Sequence, residues 1–293
     1  MMQKKSYRVA GHVFSLAMDE GEKAWEALGN YSPFSCPEGD GIFSLELVSD
    51  LEAEGKEALY VSTPEDGEQR IDIYTIRGGY LFEMAPLGNT PVCGWLKVSE
   101  DFTVGRLKTA GSRVFCINNA LMLMYAFRTA SAGTLEMHAS VTVKDGKGYL
   151  FLGKSGTGKS THSRLWLKNI PGTHLLNDDN PVVRVVDGKV MVFGSPWSGK
   201  TPCYRNEEYP VGAIVRIHRE KHDALHRMSL TESFASVSSS SSGLRAIRSI
   251  ADGLFETISA VVQSVPCYIL DCLPDDEAAI VCHNGVLAHE EVH

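Results

Sequence analysis

Two stretches of this chain fit the pattern G-x-x-x-x-G-K-[ST]: GKSGTGKS at 153–160 and GSPWSGKT at 194–201. In a loop of this kind, glycines let the backbone wrap closely around a phosphate. Successive N–H groups then point inward, and a helix starts immediately behind so that its dipole favours the anion. The first stretch meets each demand. YLFLG before it reads as a strand, and THSRLWLKN after it has helical spacing. Lys159 would reach β- and γ-phosphates, and the Ser160 hydroxyl would ligate magnesium. Gly153, Ser155, Gly156, Thr157, Gly158, Lys159, Ser160 and Thr161 are therefore the expected nucleotide contacts. The second stretch fails. Pro196 has no N–H to give, Trp197 crowds the cradle, and CYRNEEYP after Pro202 carries no helical period. It still ends a strand with Lys200, which leaves that lysine a role beside the nucleotide.

Phosphoryl transfer needs one carboxylate for the metal and another to orient or deprotonate the acceptor. Asp178 and Asp179 close the short strand THLLN, and ligands of α/β sheets gather beyond the carboxyl ends of strands. NDDNP would also suit a turn, but its place after the loop helix favours a site. His138 is set by register. A five-residue KDGKG loop pairs Val143 with Tyr149 and brings His138 opposite Lys154, at the loop mouth; the alternative is a core histidine. His218, His222 and His226 are spaced for a metal stripe on a helix, but their flanks read as strands, which makes this segment a hairpin tip.

The elements that must position these residues are of two kinds. Residues 6–112 show short alternating runs, IFSLELV, ALYVS and RIDIYTI, punctuated by Gly, Pro and Asp, which predicts a mostly β part. VFCINNALMLMYAFRTA (114–130) has helical length and spacing and is the expected hinge to the second half. From 134 onward strands alternate with helices. LEMHASVTV and YLFLG form a hairpin, as do PVVRVV and VMVFG around Asp187-Gly188. VGAIVRIHR and ALHRMSL read as a third. Ser229-x-x-Glu232 marks a helix start, SSSSSSG (238–243) reads as a linker, and GLRAIRSIADGLFETISAVV is a long amphipathic helix. VPCYILDCL is a strand, and Asp275 opens a last helix. The expected domains are 1–112 and 113–293.

With 43% hydrophobic and 22% charged residues the composition is that of an ordinary globular protein. The net charge of −8 lies wholly in residues 1–112, with 10 Lys+Arg against 18 Asp+Glu, while the remainder balances at 18 and 18. That argues against a nucleic-acid surface on the first part and reads as a solvated acidic face. Seven cysteines without a C-x-x-C pair read as buried thiols of a reducing compartment. No stretch reaches the roughly 18 apolar residues of a membrane span, so a cytoplasmic location and no membrane partner are expected. Self-association into a homo-oligomer is left open.

LEMHAS, GKSGTGKST, NDD and VFGSPWSGK occur in the order seen in HPr kinase/phosphorylase and ATP-dependent phosphoenolpyruvate carboxykinase, and residues 134–288 resemble that family. The resemblance implies an α/β fold, α+β overall, with that family's P-loop core behind a smaller β-rich N-terminal part. It implies Asp178 as catalytic base, Asp179 with Ser160 on magnesium, His138 near the transferred phosphate, and Lys200 on phosphoryl oxygens. The strand motif carries Gly194 where the family has an acid. The expected activity is a Mg-ATP-dependent phosphotransferase acting on an unidentified hydroxyl acceptor, small metabolite or protein. A nucleotide-binding module serving a protein partner is the other class.

Overall fold

The alternating runs of the first part do pair, and the computed structural model describes residues 1–64, 68–199 and 201–288. They build a nine-stranded mixed sheet that includes Phe43–Leu47, Glu57–Tyr60 and Arg70–Ile76. The apolar run expected over 114–130 is the helix Arg113–Thr129. It packs on this sheet: a Cβ on Gly105 would collide with Met124, and the Tyr125 hydroxyl donates to the Val9 carbonyl at 3.1 Å. The chain accordingly forms two compact units, Met1–Arg128 and Thr129–His293. The division falls after the helix, not at residue 112 before it, because the helix spends its apolar face on the first sheet.

The second unit is a mixed sheet with helices. Its main path runs Thr134–Glu136, Val182–Val186, Lys189–Phe193, Glu208–Arg219, Lys147–Leu152, Ala139–Lys144, His174–Asp179. The long strand Glu208–Arg219 also pairs in parallel with Cys267–Cys272, which in turn pairs with Ala224–Arg227. ALHRMSL is thus no hairpin partner of VGAIVRIHR; the parallel strand comes between them. His218 and His226 consequently approach one carboxylate, Asp271, at 3.4 and 3.6 Å, rather than sharing a hairpin tip.

The KDGKG hairpin also differs from expectation. Lys144 pairs with Lys147 and Thr142 with Tyr149, so the turn is the two residues Asp145-Gly146, both at positive φ (50° and 75°). Asp-Gly is the pair that a primed two-residue turn favours. The register moves by one, and Ala139 faces Leu152. The serine run is no linker. It ends the helix Leu230–Ser239, whose start carries the expected capping box of Ser229 and Glu232. It then pairs with the strand before the hairpin: the His138 N–H donates to the Ser240 carbonyl at 2.7 Å, and the Ser242 N–H to the Glu136 carbonyl at 2.9 Å.

One face of the sheet buries Tyr149, Phe151, Val215, Ile217, Tyr268 and Leu270 beneath Trp166 and the terminal helix Asp276–Ala288. Each such side chain contributes about 1.5–3 kcal/mol on leaving water. That packing fixes three parallel strand ends, at Leu152, Arg219 and Cys272, side by side.

Candidate active site

Leu152 ends its strand and the chain turns through Gly153, Gly156 and Gly158, with φ of 157°, 75° and 115°. These are backbone conformations that residues with a Cβ rarely hold. A Cβ on Gly153 would also collide with the Thr157 hydroxyl. Gly158 is the N-cap of the helix Lys159–Asn169, and no side chain caps it. The first turn of a helix leaves its N–H groups without intrahelical partners, so this end is open to an anion.

The Lys159 ammonium folds back over the loop. It donates to the Gly153 carbonyl at 3.0 Å and lies 2.9 Å from His138 Nε2. The same His138 nitrogen is 3.2 Å from Asp179 Oδ1. A ring nitrogen carries at most one proton. Nε2 therefore either accepts from Lys159 or donates to Asp179, and an anion that drew the ammonium away would leave it to Asp179. Burial pushes the Lys159 ammonium below its ordinary value, against the pull of Asp179 and Asp178 and with the repulsion of Arg216. For Asp179 burial pushes up, but the His138 hydrogen bond and charge, Lys159 and the Asn180 amide outweigh it and hold the carboxyl below its ordinary range.

Asp179 sits at φ 131°, a left-handed conformation for a residue with a side chain. GSPWSGKT is what holds it there. The Gly199 N–H and the Ser198 hydroxyl donate to the Asp178 carbonyl at 2.6 and 3.0 Å. The fully buried Ser195 hydroxyl donates to the Asn180 carbonyl at 2.5 Å and accepts from the Asn177 amide and the Trp197 N–H. Asn177 Oδ1 accepts from the Asn180 N–H at 2.9 Å. A Cβ on Gly194 would run into the Arg205 carbonyl, so that position has no room for an acid. Trp197 is buried. Lys200 lies outside the described residues.

His138, Ser155, Gly156, Gly158, Lys159, Ser160, Thr161, Asp178 and Asp179 line one cleft of about 450 Å³, with Gly199, Thr201, Arg164 and Arg219. Asp178 is only 3% exposed, yet it stands in that wall. Gly153 supports the loop from below. Thr157 lines a second cavity of about 380 Å³ that shares Gly158, Thr161 and Arg219 with this cleft and is otherwise walled by groups such as Leu165, Ile217, Leu273 and Pro274. A polar cleft and an apolar notch that share three wall residues suit a ligand with an anionic end and a flat apolar end.

Four participants were not singled out from sequence. Arg219 grips the loop, donating to the Gly156 carbonyl and, at 3.0 Å, to the Thr157 carbonyl. It ends a parallel strand, the place where the α/β rule would have sought it. Asn177 and Ser195 lie within NDD and GSPWSGKT, but their bracing contact runs across the chain and no local pattern marks it. Glu136 is buried beside Asp179; burial pushes its carboxyl up to about 7, and its two oxygens have no well-formed hydrogen bond.

No protein family matches this chain, and no curated protein does. Among solved structures, an HPr(Ser) kinase/phosphatase from Coxiella burnetii is similar over 53% of this chain and 98% of its own, with 13% identity and a TM-score of 0.34. A likeness this slight carries no functional conclusion. No described helix is long and apolar enough to cross a membrane.

Proposed function

We propose that the chain is a Mg-ATP-dependent phosphotransferase acting on a hydroxyl acceptor. The observation that supports this reading is the meeting of Lys159, His138, Asp178 and Asp179 at the open N-terminus of one helix. A cradle built only to hold a nucleotide has no use for a second carboxylate.

The residues suit the groups they would bind. Ser160 and Asp179 offer hard oxygen donors, the kind magnesium takes. Magnesium, when bound there, would neutralise charge on phosphate oxygens. The glycine loop and Lys159 would hold the β- and γ-phosphates, and the apolar notch beside Thr157 and Leu165 would take the base. Asp178 would accept the proton as the acceptor O–H bond breaks and its oxygen forms the new P–O bond, with ADP leaving. Lys159 would follow the charge from ground state to transition state, and His138, released from it, would pair with Asp179 and keep that carboxylate oriented.

The test is a screen of hydroxyl metabolites and Ser/Thr/Tyr peptides with Mg-ATP, scored by ADP release and product mass. An acceptor whose phosphorylation stops in Asp178→Asn supports the reading. Tight nucleotide binding with no acceptor-dependent turnover across the screen would point to the binding-module class instead.

A further inference from the structure

Arg216 stands three residues before the end of the strand Glu208–Arg219 and pairs with Leu152, the last residue before the glycine loop. Its guanidinium is half-buried. Nε donates to the Ser236 hydroxyl at 2.6 Å. Nη2 donates to the Ser236 carbonyl at 2.6 Å and to the Ser239 and Ser240 hydroxyls at 2.8 and 3.1 Å. All of these partners are neutral oxygens. Among the described residues no carboxylate pairs with Arg216, and Nη1 meets no protein acceptor.

A cation taken this far out of water normally has a counter-ion. The helix Leu230–Ser239 points its C-terminal end at Arg216, which supplies roughly half a unit of opposite charge. Beyond that helix end, no anionic protein group pairs with it among the described residues. The surroundings add to the imbalance: burial pushes the Arg216 guanidinium down, and Arg216 in turn disfavours the charge on Lys159. Arg216 does not line the cleft but is linked to it through Ser240. Ser240 accepts from Arg216 through its hydroxyl and from the His138 N–H through its carbonyl, and the His138 ring meets Lys159.

We propose that Arg216 is a second anion-binding point of this site, and that the missing counter-ion is an oxyanion of the bound ligands. The serine run is then the cage that aims the guanidinium, with Nη1 left for the ligand. A planar fork suits phosphoryl or carboxylate oxygens. Two sources carry that chemistry: the γ-phosphoryl group of the nucleotide, or an acidic group on the acceptor. The inference rests on the nucleotide reading above.

The experiment compares the full chain with Arg216→Gln and Arg216→Lys by calorimetry. Gln can keep bonds to the helix end but has no charge; Lys keeps the charge without the fork. Titrants are Mg-ATP, Mg-ADP, and inorganic phosphate added to protein saturated with a non-hydrolysable ATP analogue. If the γ-phosphoryl group is the partner, Gln weakens ATP roughly tenfold to a hundredfold and leaves ADP within about twofold, with Lys in between. If the acceptor carries the anion, both nucleotides stay within about twofold and phosphate binding weakens by a similar tenfold or more. Variants that melt earlier yet bind all three titrants like the parent would overturn the proposal and make Arg216 a helix-end cap. A parent chain that binds neither nucleotide would instead remove the phosphotransferase reading on which the proposal stands.

Discussion

GKSGTGKS and GSPWSGKT share a pattern and differ in where their polar groups point. In the first, three glycines hold positive φ, and the helix behind them has an uncapped N-terminus. In the second, Ser195, Ser198 and Gly199 aim their groups inward, at the strand end Asn177–Asn180. Among the described residues no helix comes directly after it, and Trp197 is buried. One loop leaves its donors open, while the other spends them on the residues opposite. The spacing of glycine and lysine therefore says little by itself; the element on the C-terminal side of the loop decides whether the donors stay available.

That contrast can be tested from its strongest consequence downward. Asp178, which the second loop braces, is the expected base. Asp178→Asn should keep ATP affinity and lower turnover by roughly 10²–10⁴, read by steady-state kinetics with an acceptor in hand; unchanged turnover would make the bracing purely structural. Lys159 belongs to the loop proposed to grip the nucleotide. Lys159→Ala should weaken ATP roughly tenfold to a hundredfold, the worth of a charge-assisted hydrogen bond, by calorimetry. Ser195→Ala should do the reverse, leaving ATP affinity within about threefold while costing about 1–3 kcal/mol of stability from stranded buried partners. Equal loss of ATP affinity in both variants would erase the distinction between the loops.

The smallest effect concerns Glu136, beside the braced acid. Its folded carboxyl is raised by burial to about 7 from an ordinary 4.5. Below the unfolded value both states are protonated and nothing differs. As pH rises from about 4.5 to 7 the unfolded chain gives up a proton that the folded one retains, so stability falls across that window and levels off above it. Glu136→Gln should flatten this slope, raising the melting temperature at pH 8 by a few degrees more than at pH 4.5. Parallel curves for parent and variant would show that the carboxyl is not held neutral.

Much of the second unit was legible because its signals are local. The strand, glycine turn and helix around 147–169, the Asp187-Gly188 hairpin and the Ser229 capping box each lie within a few residues. What escaped depends on distant pairing. Cys267–Cys272 separates the strands expected to form a third hairpin, and nothing near His218 announces it. The serine run has a linker's composition, but Arg216 and Arg245, together with the backbone of Glu136–His138, give it order. Asp145-Gly146 is the exception: its turn type was readable locally, and choosing the longer loop shifted the register by one. The site residues came from chemistry and order along the chain, whereas their bracing by Asn177 and Ser195 could come only from coordinates.

Arg219 has a bearing on time as well as on strength. By holding the carbonyls of Gly156 and Thr157 while Lys159 holds that of Gly153, it ties the loop to protein groups at three points. Fixing a residue's backbone costs roughly 1–2 kcal/mol, and a loop ordered only at the moment of capture would have that cost deducted from its affinity. Here it is met when the chain folds. Under the proposed reading, encounter with an anion would then need no wait for a rare loop conformation, and the dwell time of the ligand would become the quantity through which affinity is set.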